Sequence, residues 1–166
     1  MKDLKEKKSK HEVLIENLTD LLNTGNAHVS LDNAVADVDF EILGKRPEGL
    51  PYSIWQLAEH IRIAQHDILE FSRDPKYVSP KWPEGYWPTE TVPTSENEWQ
   101  QCLQQIKKDR ASFIDLLIHA GETLYTPFEH GDGQSLLKEA LVVADHNSYH
   151  TGEIVLLRRL LHDWDK

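Results

Sequence analysis

Four long stretches of the chain repeat apolar residues at helical spacing, each opened by a capping residue or closed by glycine or proline. No stretch sustains a period-two alternation, so the sequence specifies an all-α fold. The first helix carries Val13, Leu14, Leu18, Leu21 and Leu22 from about Ser9 to Thr24, and Gly25 stops it. Ser30 can cap a short helix with Leu31, Ala34, Val35 and Val38, before GKRPEGLP breaks the chain. The second long helix opens at Ser53, where SIWQ has the form of a capping box, and runs to about Ser72 with a stripe of Leu57, Ile61, Ala64, Ile68 and Phe71. The third opens with SENE at Ser95, again a capping box, and carries Trp99, Leu103, Ile106, Phe113 and Leu117 as far as Gly121. The fourth spans about Ser135 to His162.

Between the second and third long helices lies DPKYVSPKWPEGYWPTETVPT, with Pro75, Pro80, Pro83, Pro88 and Pro93. Structureless connections of this length are uncommon and often functional. A helix of about 19 residues rises roughly 28 Å. The linker is long enough to run back over that distance, which would leave the two helices parallel in a bundle with a long crossover. Trp82, Tyr86 and Trp87 on the crossover either pin it to the bundle or wall the mouth of a pocket. Pinning is the plainer expectation, because large aromatics mostly bury area.

At 166 residues and 39% hydrophobic, the chain suits one domain, residues 1–166, with a core that needs no disulfide. The formal net charge of −10 argues against nucleic acid and anionic membrane as partners. The Lys-rich start, MKDLKEKKSK, has no apolar run behind it and reads as a solvated, fraying helix start rather than a secretory signal. With Cys102 alone, no internal disulfide forms, and a reducing cytoplasm is the expected location. Cys102 falls beside the Leu103, Ile106 line and reads as a small buried hydrophobe.

The residues with chemical interest cluster in DHNSYHTGEI, Asp145 to Ile154. With His146 as zero, His150 falls at about +40°, Glu153 at about −20°, Val142 at about −40°, Val143 at about +60° and Leu160 at about −40°. Both histidines thus lie mid-stripe on the inward face. Buried imidazoles need partners for four ring nitrogens, and a metal ion serves two residues at once. Two neutral core histidines remain the plainer reading, because HxxxH alone is a weak motif. Among the other histidines His60 is best placed, mid-helix in WQLAEHIRIAQHDILEF, whereas His66 reads as facing solvent. Asp67, two turns beyond His60, reads as an exposed helix residue and a second choice of base. Asp145 can pair with Arg158 or Arg159, or orient a ligand. HExxH is excluded by Asn147, and neither GxSxG nor a P-loop is present.

The combination of SIWQLAEHI, WPEGYWP and ADHNSYHTGEIVLLRRLL, covering most of the chain from about Asn26 onward, resembles the DinB-like four-helix-bundle superfamily, which includes the YfiT-like metal-dependent hydrolases. The resemblance implies an up-down-down-up bundle and a divalent metal, nickel or zinc, held by His60, His146 and His150. Where relatives often carry Gln, this chain has Glu153, which is a metal ligand, a base or the orienting partner of a ligand. The function implied is a hydrolase, or transfer of a low-molecular-weight thiol to a small electrophile, as in the bacillithiol transferases and the mycothiol-dependent maleylpyruvate isomerase. The alternative is a non-enzymatic metal- or ligand-binding bundle in stress response. A homodimer is expected on family habit alone.

Overall fold

The computed structural model describes residues 8–164. Residues 1–7, most of the Lys-rich start, lie outside them. Among the described residues there are five α-helices and no strand: α1 (Lys10–Thr24), α2 (Leu31–Ala34), α3 (Ile54–Arg73), α4 (Glu96–His119) and α5 (Leu136–Leu160). No helix is long and apolar enough to cross a membrane.

The capping residues act where the sequence places them. Ser9 and Ser53 each form a complete capping box, with Glu12 and Gln56 respectively, and Ser30 accepts from the Asn33 N–H. Gly25 closes α1 at φ 68°, a conformation that suits glycine. At Ser95 only half the expected box forms. The Ser95 hydroxyl accepts from the Glu98 N–H, but the Glu98 carboxylate reaches past it to the backbone and hydroxyl of Thr94.

Helix directions follow from which residues meet. Trp55 packs edge-on to Trp99, Gln65 Nε2 donates to the Ile106 carbonyl, and His66 meets Asp109, so α3 and α4 run parallel. His60 meets His146, and Gln65 accepts from Asn147, while Leu57 and Leu157 line one groove, so α5 runs antiparallel to α3. The helix α1 packs against α4 and α5. Residues 74–95 touch α3 at three positions seven residues apart, about 10 Å along the axis. The Tyr86 hydroxyl donates to Asp67 Oδ2 at 2.6 Å, the Tyr86 carbonyl faces His60 Nδ1 at 2.8 Å, and Ser53 Oγ donates to the Thr91 carbonyl at 2.6 Å.

The apolar interior forms two clusters. One joins Leu57, Ile61, Trp99, Ile106, Ile154 and Leu157, and the other joins Leu18, Leu69, Phe113, Leu117, Ala140 and Val143. Between them the same helices carry buried polar groups: Gln65 on α3, Asp109 on α4, and His150 and Thr151 on α5.

Two positions on α3 differ from the sequence reading. Asp67 is only 8% exposed, because the returning segment covers it and Tyr86 supplies its hydrogen bond. His66 keeps 40% of its side-chain exposure, yet its Nδ1 lies 3.0 Å from Asp109 Oδ2 and ties α3 to α4. The buried face of α5 is also turned from the expected one. Val142 and Leu160 are exposed, while Ala140, Val143, Ala144, Ile154 and Leu157 are buried. His150 therefore lies inside and His146 at the margin. Both α1 and α2 pack against α5, beside its contact with α3.

Removing the Tyr86 hydroxyl strips Asp67 Oδ2 of its donor inside the fold, and Asp67 Oδ1 already has none. Tyr86→Phe should therefore lower unfolding stability by about 1–3 kcal/mol in urea titrations, and an unchanged midpoint would contradict this reading of the segment's anchorage.

Candidate metal centre

The returning segment and the antiparallel pair of α3 and α5 bring His60, His146 and His150 together. One ring nitrogen of each lies within 4.8 Å of the others, and the group could hold a metal ion. The ring centroids are 4.8 Å apart for His60 and His146, 4.7 Å for His60 and His150, and 4.6 Å for His146 and His150.

The outward-facing nitrogens are each committed. His60 Nδ1 lies 2.8 Å from the Tyr86 carbonyl, which can only accept, so Nδ1 carries the proton and Nε2 a lone pair. His150 Nδ1 lies 2.6 Å from Glu153 Oε2, which by the same logic leaves its Nε2 as an acceptor. His146 Nδ1 faces Asn147 Oδ1 at 3.4 Å, a long contact of the same polarity. The consequence falls on the inner nitrogens: His60 Nε2 and His146 Nε2 face one another at 2.9 Å, both as acceptors.

Two lone pairs at that distance repel: a cation between them relieves this, as does a shift of the His146 proton to Nε2 at the cost of the 3.4 Å contact with Asn147. A proton is disfavoured, because burial and the neighbouring histidines push His146 down to about 4, and burial with His60 pushes His150 to about 4. His60 is also lowered, by burial first, against the opposing pull of the Tyr86 carbonyl and Glu153. A divalent ion would give both lone pairs one partner, and with His150 the three ring nitrogens, within 4.8 Å of one another, could hold it. The donor set therefore suits the group that the family resemblance implies.

The aromatic residues hold the site from one side. Trp87 stacks on His60 with centroids 3.9 Å apart and planes 2° from parallel, and Tyr52 stacks on Trp87 at 3.9 Å. Trp82, Tyr86 and Trp87, with Tyr52, Asp67 and Ile68, line a cavity of about 580 Å³ that reaches His60, His146 and His150. Trp82 is 69% exposed, so it stands at the mouth and is not pinned down, while Tyr86 and Trp87 are half-buried.

Glu153 contacts His150 and lines a small apolar groove with Leu50, Tyr52 and Leu156, on the other side of Tyr52 from the cavity. Its carboxyl is raised, mainly by burial. Asp145 is exposed, and Arg158 pairs with Asp163 instead. Cys102 is buried, which pushes its thiol well up, away from thiolate chemistry. Tyr52, Gln65 and Asn147 escaped the sequence reading. Gln65 lay open to it, because a glutamine about 40° from Ile61 sits inside an apolar stripe.

Three histidines on two antiparallel helices of a bundle, beside an open cavity, form a group that could hold a metal ion. Residues 24–154 match the family model of the DinB superfamily, and the chain belongs to that superfamily. Neither a curated protein nor a solved structure matches the chain.

The lowered histidines set a pH dependence for the metal-free protein. Between the ordinary value of 6.5 and about 4, the unfolded chain takes up protons at His146 and His150 that the folded chain refuses. Stability must then fall as pH drops through that window. Thermal unfolding of the metal-free chain should show a falling midpoint from pH 6.5 to 4, with a shallower slope in His146→Gln. Equal slopes would show that His146 does not carry the effect.

Proposed function

We propose that the chain is a divalent-metal-dependent enzyme acting on a small molecule, with His60, His146 and His150 as the ligands of nickel or zinc. The observation that carries this reading is the pair of acceptor nitrogens on His60 and His146, 2.9 Å apart beside an open cavity. Three neutral imidazoles leave positions free for water or substrate, as in catalytic rather than closed structural sites. When bound, the ion supplies Lewis acidity towards a water or a thiol.

The chain's own residues bind and orient. Tyr86 through its carbonyl, and Glu153 through its carboxylate, hold the ligand rings so that Nε2 points inward. Trp87 fixes the plane of His60, and Trp82, Tyr86 and Ile68 offer an apolar wall to a substrate body. Hydrolysis and transfer of a low-molecular-weight thiol to an electrophile both fit such a cavity. One observation favours the second reading, a non-enzymatic metal- or ligand-binding bundle: Glu153 is committed to His150 and does not line the cavity, so it serves as an orienting partner and not as a free base.

Elemental analysis of untagged protein should find about one divalent ion per chain, and His60→Ala and His146→Ala should each lose most of it. The loaded protein should accelerate either ester hydrolysis or conjugation of a small thiol to a bimane electrophile, with the rate lost in both variants. Stoichiometric metal without either activity would favour the binding bundle, and equal metal in all three proteins would remove the site.

A further inference from the structure

The buried polar layer between the two apolar clusters has a direction, and it leads to one ligand. Gln65 is 1% exposed, and its hydrogen bonds go to Ile106 and Asn147, not to the three histidines. Its Nε2 donates to the Ile106 carbonyl of α4 at 2.7 Å, and its Oε1 accepts from Asn147 Nδ2 at 3.0 Å. A backbone carbonyl can only accept, so the amide of Gln65 can stand only one way round. Its oxygen must then face α5, which requires the Asn147 NH₂ group on that side. The Asn147 oxygen is left pointing at His146 Nδ1, 3.4 Å away.

We infer that Gln65 is a positioning residue of the three-histidine site: through Asn147 it dictates that His146 carries its proton on Nδ1 and presents Nε2 as a lone pair. This inference rests on the metal-site reading above. Each link transmits only polarity, from a carbonyl on α4 through an amide on α3 to an amide on α5, so the helix without a ligand still governs a ligand's tautomer. His60 and His150 need no such relay, because a carbonyl and a carboxylate serve them directly. His146 has only an amide, which can face either way until something orients it.

The test exploits that ambiguity. An aspartate at position 147 accepts through either oxygen, so it needs no orienting partner once Gln65→Met has removed the oxygen that would otherwise face it. Zinc dissociation constants, measured on the full chain by competition with a chromophoric chelator, should rise about 10- to 100-fold in Gln65→Met, the range for lost partners of ligating histidines. The double variant Gln65→Met with Asn147→Asp should bring the zinc affinity back to near the wild-type value. A double variant that binds as weakly as Gln65→Met alone would overturn the inference, because it would mean that Gln65 only holds the helices together. Equal binding by wild type and Gln65→Met would overturn it as well. Should Gln65→Met fail to fold by circular dichroism, Asn147→Ala decides: a rise of about 10-fold or more in the dissociation constant supports the relay, and binding equal to wild type rejects it. Failure of wild type itself to bind zinc or nickel is a distinct result that removes the metal reading and this inference together.

Discussion

The contact on which the rest depends is the approach of His60 Nε2 to His146 Nε2 at 2.9 Å. Each ring has its other nitrogen turned to an acceptor, so neither can supply a proton to the gap without giving up an outer hydrogen bond. Burial makes an imidazolium expensive there. A cation between two such acceptors would relieve them, and the helices, the returning segment and the aromatic stack all act to keep that distance.

The two apolar clusters act as clamps on either side of the polar layer. Leu57, Ile61, Ile154 and Leu157 lock one end of the α3 and α5 pair, and Leu69, Ala140 and Val143 lock the other. The site lies between these locked ends, so small rotations of either helix are resisted from both directions. Residues 74–95 add the constraint from outside, because the Tyr86 hydroxyl and carbonyl grip α3 at Asp67 and His60, two turns apart. The same segment that orients a ligand therefore also shapes the cavity that reaches it.

Much of this was legible in the sequence, because caps and helical period are local signals. Ser9, Ser30, Ser53, Ser95 and Gly25 fixed the helix starts and one stop, and the spacing of His146 and His150 put both on one side of α5. What escaped depends on contacts between distant segments. Asp67 reads as exposed on a helical wheel and is buried only because residues 74–95 return over it. The inward face of α5 was misjudged because α1 and α2 pack against it as well as α3. Glu153 could not be assigned from spacing, since three residues from His150 suits a base and an orienting partner equally. The 2.6 Å contact with His150 Nδ1 favours the orienting role.

X-ray absorption at the metal edge of the zinc- or nickel-loaded chain tests the central claim most directly. The account predicts a first shell containing three imidazole nitrogens at about 2.0–2.1 Å, with the multiple-scattering pattern of histidine and the remaining positions filled by oxygen. A shell of oxygen alone, or one with sulfur from Cys102, would contradict it.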